Sequence, residues 1–472
     1  MKEWIAVASL GGTVLTANVA RADEQAFEGV QRSVQERAGK TVDWEADRAA
    51  HAQSLQAVRR LLRKPLTVEA AVQVALLNNR SLQATFEEIG LSAADLREAG
   101  MIPNPTLDLA VRLPDKPPSG TYVNAGAVID FLSIAMIPLK RRVAKVQLQA
   151  AVLRVADETL QLVAEVKTAF YACQAFQQLL KRFQLIVDVN AAGLDLAVRQ
   201  HEAGNSSDLS LAQQQAGYSR SRLDVAATAA DLRRSREKLN RLLGLWGADT
   251  EWSLQGELPP VPASDPAAGD LERLAISQRL DLQAGYLAVT RSAQELGLTA
   301  AFRWFGALDF GVESERETDA QTRTGPTFAI QLPIFNQGQA RIARGEASLR
   351  QAQKRLEALA VDVRSQVREL RDEVASKREI ARFYQETLLP NEVQILHQSL
   401  LNFNAMALNN FELFTAKAEE ARTEREYIEA VRDYWTARAE LERAVGGSLH
   451  PRVPAGGKSI SRSPGATASP KD

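Results

Sequence analysis

The sequence contains very few of the residue types that carry redox or soft-metal chemistry. Its 472 residues include one cysteine, four methionines and four histidines. Cys173 cannot form an intramolecular disulfide, and its place in a helical apolar pattern indicates ordinary packing. The histidines belong to no HExxH motif, and no CxxC or GxSxG motif occurs. We therefore expect no enzymatic activity, no cofactor and no dedicated metal site.

An excess of charge of either sign is also missing. Lysine and arginine number 57 against 58 aspartate and glutamate, which leaves a net charge of -1. Without a basic surface, nucleic acid is a disfavoured partner. Beyond the N-terminal region no run of 18 apolar residues occurs, so a membrane-spanning helix is not predicted. Membrane strands remain possible, because they need only about 9 to 11 residues.

The N-terminal residues resemble a secretory signal. Lys2 precedes an apolar run from Ile5 to Val19, and the small residues around Arg21 fit a cleavage site. Glu3 weakens the match. We expect a signal peptide over residues 1–22, followed by a charged, peripheral helical arm over residues 23–65.

A helical pattern of unusual length follows in the first half of the chain. From Pro138 to Gly204, apolar residues recur at alternating steps of three and four, which is coiled-coil spacing. These roughly 65 residues would form a rod on the order of 100 Å long. The pattern turns at residues 204–208 and resumes from Leu209 to Leu243, which predicts a helical hairpin whose return helix is shorter than the rod.

Two beta-like runs precede this rod. They cover Asn104–Leu113 and Tyr122–Leu132 and are joined by a loop rich in proline and glycine. A single helix with Thr67 as its N-cap should lead to them, ending at Gly100. The strand lengths fit a tilted membrane barrel, but a soluble β cap on a helical stalk explains them equally well.

The whole pattern recurs about 200 positions later. A second strand pair is predicted over Phe302–Val312 and Thr324–Phe335, around a charged loop at 313–319. A second rod should run from Ile342 to about Phe403, and its return helix should end at Gly446. We therefore expect a first repeat over residues 66–244, a Pro-rich linker in the equatorial region over 245–268, a second repeat over 269–446 and a disordered tail over 447–472.

Four strands are too few to close a barrel, since single-chain membrane barrels begin at about eight strands. An open sheet would expose its edges to lipid, which the bilayer does not permit. The chain is therefore expected to assemble with copies of itself. Such a ring would make a channel rather than a catalyst.

The sequence resembles a known family, the TolC-type outer-membrane efflux factors. The resemblance covers roughly residues 66–446 and rests on the order of short motifs rather than on any one of them. These motifs are Leu66-Thr67-Val68-Glu69-Ala70-Ala71, Asn78-Asn79, Pro103-Asn104-Pro105 and the hairpin turn Glu202-Ala203-Gly204-Asn205-Ser206-Ser207-Asp208-Leu209.

The resemblance implies a mainly α fold with a transmembrane β-barrel portion. Tandem-duplicated coiled-coil hairpins and four β-strands per protomer would give a homotrimer with a 12-stranded barrel in the outer membrane and a periplasmic α-helical tunnel. It also implies a passive exit duct in a tripartite efflux or type I secretion system. The implied partners are outer-membrane lipid, a periplasmic adaptor and an inner-membrane pump of the RND or ABC type.

The resemblance also implies functional positions. Glu412 matches a family acid at the periplasmic gate, where three carboxylates would favour cations. Met406 stands where the family usually has glycine, which puts the sharpness of the second turn in doubt. No cysteine lies near residue 23, so no lipid anchor is expected. Adaptor docking would fall on the two hairpin turns, at Gly204, Asn205, Ser206, Ser207, Asp208, Met406, Ala407, Leu408, Asn409 and Asn410.

Two other functions compete with the channel. A coiled-coil structural scaffold with β caps and no transport role is the main alternative, and it would be soluble without detergent. A periplasmic adaptor is disfavoured, because it would show one hairpin between divided β domains, whereas this chain has two tandem hairpins. The transported substrate leaves no mark in the sequence.

Overall fold

The computed structural model describes residues 24–45, 48–113, 115, 120–264, 270–317, 319 and 321–449. The expected signal peptide lies outside these residues. The same is true of the expected disordered tail, except for its first three residues.

The first repeat consists of helices around one strand pair. A helix over residues 24–38 (α1) and a second helix, α2, precede it. The bounds are α2 Arg48–Leu62, α3 Val68–Asn78, α4 Arg80–Glu98, β1 Thr106–Arg112, β2 Tyr122–Asp130, α5 Phe131–Glu202 and α6 Asp208–Leu243.

The second repeat follows in the same order. Its bounds are α7 Leu271–Gln278, α8 Leu280–Ala301, β3 Leu308–Arg316, β4 Thr322–Ile330, α9 Gln339–Phe383, a π-helical segment Tyr384–Leu388, α10 Leu389–Asn404 and α11 Asn410–Val445. Each repeat thus has two short helices, a strand pair, a rod and a return helix.

The expected single helix up to Gly100 is wrong, because it breaks at Asn79. Thr67 does cap α3 by accepting a hydrogen bond from the Ala70 amide. Asn79 leaves the helical conformation (ψ 116°) and caps α4 through the Leu82 amide. The second repeat breaks at the equivalent Arg279 (ψ 128°).

The break joins the short helices to the end of α6. Asn78 Nδ2 donates to the carbonyls of Leu243 and Gly244, at 2.9 and 2.8 Å, and Asn79 Nδ2 donates to Leu242 at 2.8 Å. Helix C-termini leave such carbonyls without intrahelical partners. The two asparagines therefore hold α3, α4 and α6 together as shorter helices flanking α5.

The rod α5 begins earlier than expected. Asp130 ends β2, where Leu132 was expected, and caps α5 by accepting a hydrogen bond from the Ser133 amide. Pro138, the expected start of the rod, therefore lies inside the helix. The 72 residues of α5 span roughly 110 Å.

The second rod is not uniform. A proline at position 390 follows the π-helical segment Tyr384–Leu388. Proline has no amide hydrogen and its ring clashes with the preceding turn, which leaves the Glu386 carbonyl without its usual i→i−4 donor. The π segment widens the helix at this point, so the rod continues to Asn404 instead of ending.

The four strands form one antiparallel sheet in the order β1-β2-β3-β4. Leu107 pairs with Ala127, which pairs with Val312, which pairs with Pro326. The expected loop at 313–319 is too long, because β3 continues to Arg316. The two strand pairs thus come from different repeats but share one sheet.

The main core lies at mid-length of the molecule, and the N-terminal arm is part of it. Phe27, Val30, Val34 and Val42 are buried in the same cluster as Phe86 and the middle of α5. The expectation of a peripheral arm is therefore wrong. The charged residues of the arm lie on one side of α1, and its apolar residues are buried in the core. Cys173 is fully buried here, and burial raises the pKa of its thiol to about 11.

The linker and the start of the tail are packed against this core. Leu66 and Leu254 form a parallel bridge, and Trp435 Nε1 donates to the Pro259 carbonyl at 2.8 Å. Leu449 is buried, and the Ser448 amide donates to the Arg37 carbonyl at 3.1 Å. The two repeats are therefore joined through the arm and the linker at the level of the core.

Candidate functional site at the hairpin tips and the sheet

The first hairpin turns over the five residues 203–207 between α5 and α6. Gly204 has a left-handed backbone (φ 74°), and the Asn205 amide donates to the Gln200 carbonyl at 2.8 Å. Ser207 then caps α6 by accepting a hydrogen bond from the Ser210 amide. The left-handed glycine ends α5, and the Ser207 cap begins α6 a few residues later.

The second hairpin has the same backbone without the glycine. Met406 adopts φ 61°, and the Ala407 amide donates to the Asn402 carbonyl at 2.9 Å, as at the first tip. Met406 is the one non-glycine residue with positive φ among those described, and it is 94% exposed. The second turn is therefore as sharp as the first, despite the missing glycine.

Such a conformation strains a residue that has a Cβ atom. We expect Met406→Gly to stabilise the turn locally by about 0.5–1 kcal/mol, because strain relief of about 1–2 kcal/mol exceeds the entropy cost of glycine. Slower hydrogen exchange at the Ala407 amide would report it. Ala405→Gly, at a helical φ of -85°, is the control and should speed exchange instead.

Glu412 lies in the first turn of α11 and takes part in a capping box. The Asn409 side chain accepts from the Glu412 amide at 2.9 Å, and Glu412 Oε2 accepts from the Asn409 amide at 3.2 Å. The carboxylate is exposed and close to the second tip. Only Oε2 of Glu412 takes part in the capping hydrogen bond to the Asn409 amide.

The two hairpins are packed together just above their tips. Gly193 of α5 lies against the ring of Phe414 of α11, and a Cβ atom on Gly193 would come within 2.3 Å of Phe414 Cζ. Farther up, Arg182 Nη2 and Glu424 Oε1 form an ion pair at 3.0 Å. Burial raises the pKa of the Glu424 carboxyl, while the Arg182 charge opposes that shift.

The sequence did not predict this contact. Gly193 is a glycine inside a long helical pattern, where it costs about 1 kcal/mol relative to alanine. That cost was the available signal for a close packing position. The partner, Phe414, could not be found from the sequence.

The sheet has one apolar face and one polar face. Leu107, Leu109, Phe310 and Phe328 lie on the apolar face and are at least half exposed, Leu107 at 78%. The opposite face carries Asp108, Asn124, Glu313, Glu315 and Arg323. A sheet with a wide exposed apolar face is typical of contact with lipid or another apolar partner.

Within the described ranges, no group of three His, Cys, Asp or Glu side chains is placed to hold a metal ion.

Among the helices that the structure describes, none has an apolar stretch long enough to cross a lipid bilayer.

Known proteins share the arrangement of helical hairpins and strands described above. A family model described as "Outer membrane efflux protein" matches residues 71–245, which make up most of the first repeat. The cobalt-zinc-cadmium resistance protein CzcC of Cupriavidus metallidurans is 24% identical over 401 residues, covering 81% of this chain and 90% of CzcC.

Solved structures share the fold at low identity. A membrane protein from Pseudomonas aeruginosa superposes with a TM-score of 0.69 at 18% identity, covering 86% of this chain and 96% of that one. The outer membrane protein VceC of Vibrio cholerae gives a TM-score of 0.64 at 14% identity, covering 84% and 97%. The likeness extends over both repeats.

Proposed function

We propose that the chain is a member of the outer membrane efflux protein family, whose model matches residues 71–245, and that it is the outer-membrane channel subunit of a tripartite efflux or type I secretion system. The observation that carries the proposal is the single four-stranded sheet, which has an exposed apolar face, a polar face and strands β1 and β4 at its edges. Lipid fits the first face and an aqueous pore fits the second.

The sheet supports assembly of three copies. Sheet edges exposed to lipid are not tolerated, so β1 of one copy would pair with β4 of the next. Three sheets would supply twelve strands, enough to close a membrane barrel. Many apolar side chains along the second rod are also exposed, and neighbouring copies would cover them. They include Val361, Ile380, Phe383, Val393 and Ile395.

The helical rods would form the periplasmic part of the same pore. They extend from one end of the sheet through the core to the two tips, which lie at the same end of the molecule. The duct would be passive, with energy supplied by an inner-membrane pump. The tips would bind a periplasmic adaptor.

Exposed apolar side chains at both tips support adaptor docking. Leu209, just after the first turn, is 68% exposed, and Met406, within the second turn, is 94% exposed. Protein interfaces commonly have an apolar centre within a polar rim, and methionine is enriched there. Replacing both by serine should weaken binding of purified adaptor to reconstituted channels, whereas a double variant that binds normally would remove the assignment.

The polar face of the sheet favours cationic cargo. Acidic residues outnumber basic ones there, with Asp108, Asp309, Glu313 and Glu315 against Arg112 and Arg323. In a trimer these charges would line the exit. The relative CzcC is named for cobalt, zinc and cadmium resistance, and divalent metal ions are therefore the cargo that we propose.

Reconstitution tests the channel. Purified full-length protein should be trimeric by native mass spectrometry and should form pores with a preference for K⁺ over Cl⁻ in planar bilayers. A monomer that is soluble in plain buffer and gives no conductance would exclude the channel and favour the scaffold.

We also propose that Glu412 contributes to selectivity at the periplasmic mouth. A charge about 8 Å from a passing ion contributes about 0.5 kcal/mol in water, so three carboxylates together change cation preference several-fold at low salt. Glu412→Gln removes the charge but keeps an oxygen that can accept from Asn409, so the cap survives. We expect the K⁺/Cl⁻ permeability ratio to fall several-fold in this variant.

Glu412→Ala separates the two roles of the side chain. It removes the charge and the cap together, so its selectivity should match that of Glu412→Gln while its tip is less ordered. Unchanged selectivity in the glutamine variant would leave Glu412 with the capping role alone.

A further inference from the structure

A cavity of about 250 Å³ lies beside the core, away from the tips and the sheet. It is formed where the end of α1, the start of α3, the middle of α5 and the end of α11 converge. Val72, Leu160, Val163 and Ala164 contribute a buried apolar wall. A cavity of about 150 Å³ can hold benzene, so this one has room for a somewhat larger molecule.

The rest of the lining is mainly cationic. Arg37 and Lys40 come from the N-terminal arm, Lys167 from α5 and Arg443 from α11, against the acids Glu69 and Glu442. Lys167 Nζ lies 2.6 Å from Glu442 Oε2, which neutralises one cation. Arg443 Nη2 donates to the uncharged Gln161 side chain at 3.2 Å. Positive charge is therefore in excess around the cavity.

Arg37 is the most constrained of these cations. Its Nη1 and Nη2 donate to the main-chain carbonyls of Ser33 and Gln278, at 3.4 and 3.3 Å. Its Nε is shielded from solvent and has no acceptor among the described residues. Burial lowers the pKa of the guanidinium, and Glu36, at 3.8 Å, opposes that shift only in part.

An anion in the cavity would offset the excess positive charge of the lining, while the apolar wall favours a carbon group over water. We propose that the cavity binds a small organic monoanion, namely a carboxylate on a short aromatic or aliphatic group.

The position of the cavity gives binding a structural consequence. Arg37 holds the arm to Gln278, just before the break in the second repeat, and its carbonyl accepts from the Ser448 amide after α11. A bound carboxylate would add a link between the arm, α5 and α11. The bound state should therefore be more resistant to unfolding than the free state.

Three matched probes test the chemistry by isothermal titration calorimetry on the full-length protein in lipid nanodiscs. Benzoate should bind. Benzamide, which has the same shape without the charge, should bind at least about tenfold more weakly, because charge-assisted hydrogen bonds are worth roughly 1.5–3 kcal/mol. Inorganic phosphate should not compete. Equal binding of benzamide, effective competition by phosphate or absence of benzoate binding would each overturn the proposal.

Variants locate the site. Arg37→Gln should weaken benzoate binding about tenfold or more. Lys40→Gln, at a partly exposed arm position where Nζ donates to the Glu69 carbonyl at 3.1 Å, should also weaken it while leaving the fold intact. Arg154→Gln, at an exposed position of α5 outside the cavity, is the control and should bind as the unaltered protein does. Equal affinity in Lys40→Gln and the control would place any benzoate site elsewhere. Pore conductance is measured in parallel, so a failure of this proposal is distinct from a failure of the channel.

Discussion

Gly244→Ala should lower the free energy of unfolding by about 3–4 kcal/mol, a large loss for one added methyl group. Gly244 has φ 68°, where a Cβ atom costs about 1–2 kcal/mol. The new Cβ would also lie 2.3 Å from the Asn78 carbonyl oxygen, which belongs to the main chain. The chain must therefore shift, which weakens the hydrogen bonds from Asn78 to the end of α6 at roughly 1 kcal/mol each.

The measurement is the temperature at which the reconstituted protein loses its helical circular dichroism. Gly217→Ala is the matched control, since Gly217 lies inside α6 and an added Cβ would meet nothing within 4 Å. That change should stabilise the protein by about 1 kcal/mol through helix propensity. If both variants melt alike, the close approach of Gly244 to Asn78 has no energetic importance.

Gly193→Leu should separate the two hairpins near their tips. The added side chain occupies the place of the Phe414 ring, and overpacking of this kind costs about 1–3 kcal/mol. The first turns of α11 must move away from α5, which widens the end of the molecule assigned to the periplasmic mouth. We expect larger single-channel conductance and a longer distance between spin labels at Asn205→Cys and Ala407→Cys.

Two comparisons make this result specific. Gly217→Leu, which has open space around it, should leave the tip distance unchanged. Adding Phe414→Ala to Gly193→Leu should restore it, because the smaller side chain makes room for the leucine. A tip distance that stays the same in Gly193→Leu would show that the contact with Phe414 does not hold the hairpins together. Buried Cys173 should not take up label, since burial keeps its thiol protonated by raising its pKa.

Features that depend on neighbouring residues were predictable. The three-and-four spacing predicted both rods, and the small polar residues at 204–208 predicted the first turn, because helix formation and capping depend on residues a few positions apart. The duplication predicted the strand pairs in both halves. Strand ends shifted by a few residues, since Asp130 caps α5 and the run at Glu313 pairs within the sheet.

Features that depend on residues far apart in the chain could not be predicted from the sequence. The break at Asn79 exists because the carbonyls of Leu242, Leu243 and Gly244 need donors, and those residues lie more than 160 positions away. The arm looked peripheral because its charges are visible in sequence, whereas the burial of Val30 and Val34 depends on α4 and α5.

The sequence alone therefore determined the kind of parts this protein has: two rods, two return helices and four strands in tandem repeats. It also located the two helical turns, whereas the role of Glu412 at a gate stays a prediction. Only the tertiary structure decided that the strands of both repeats form one two-faced sheet, that Met406 takes the conformation expected of glycine and that Gly193 receives Phe414. The sheet and the contact of Gly193 with Phe414 depend on segments far apart in the chain, so local spacing carries no information about them. The conformation of Met406 follows from the short connection between α10 and α11, where the residue type alone did not reveal a left-handed backbone.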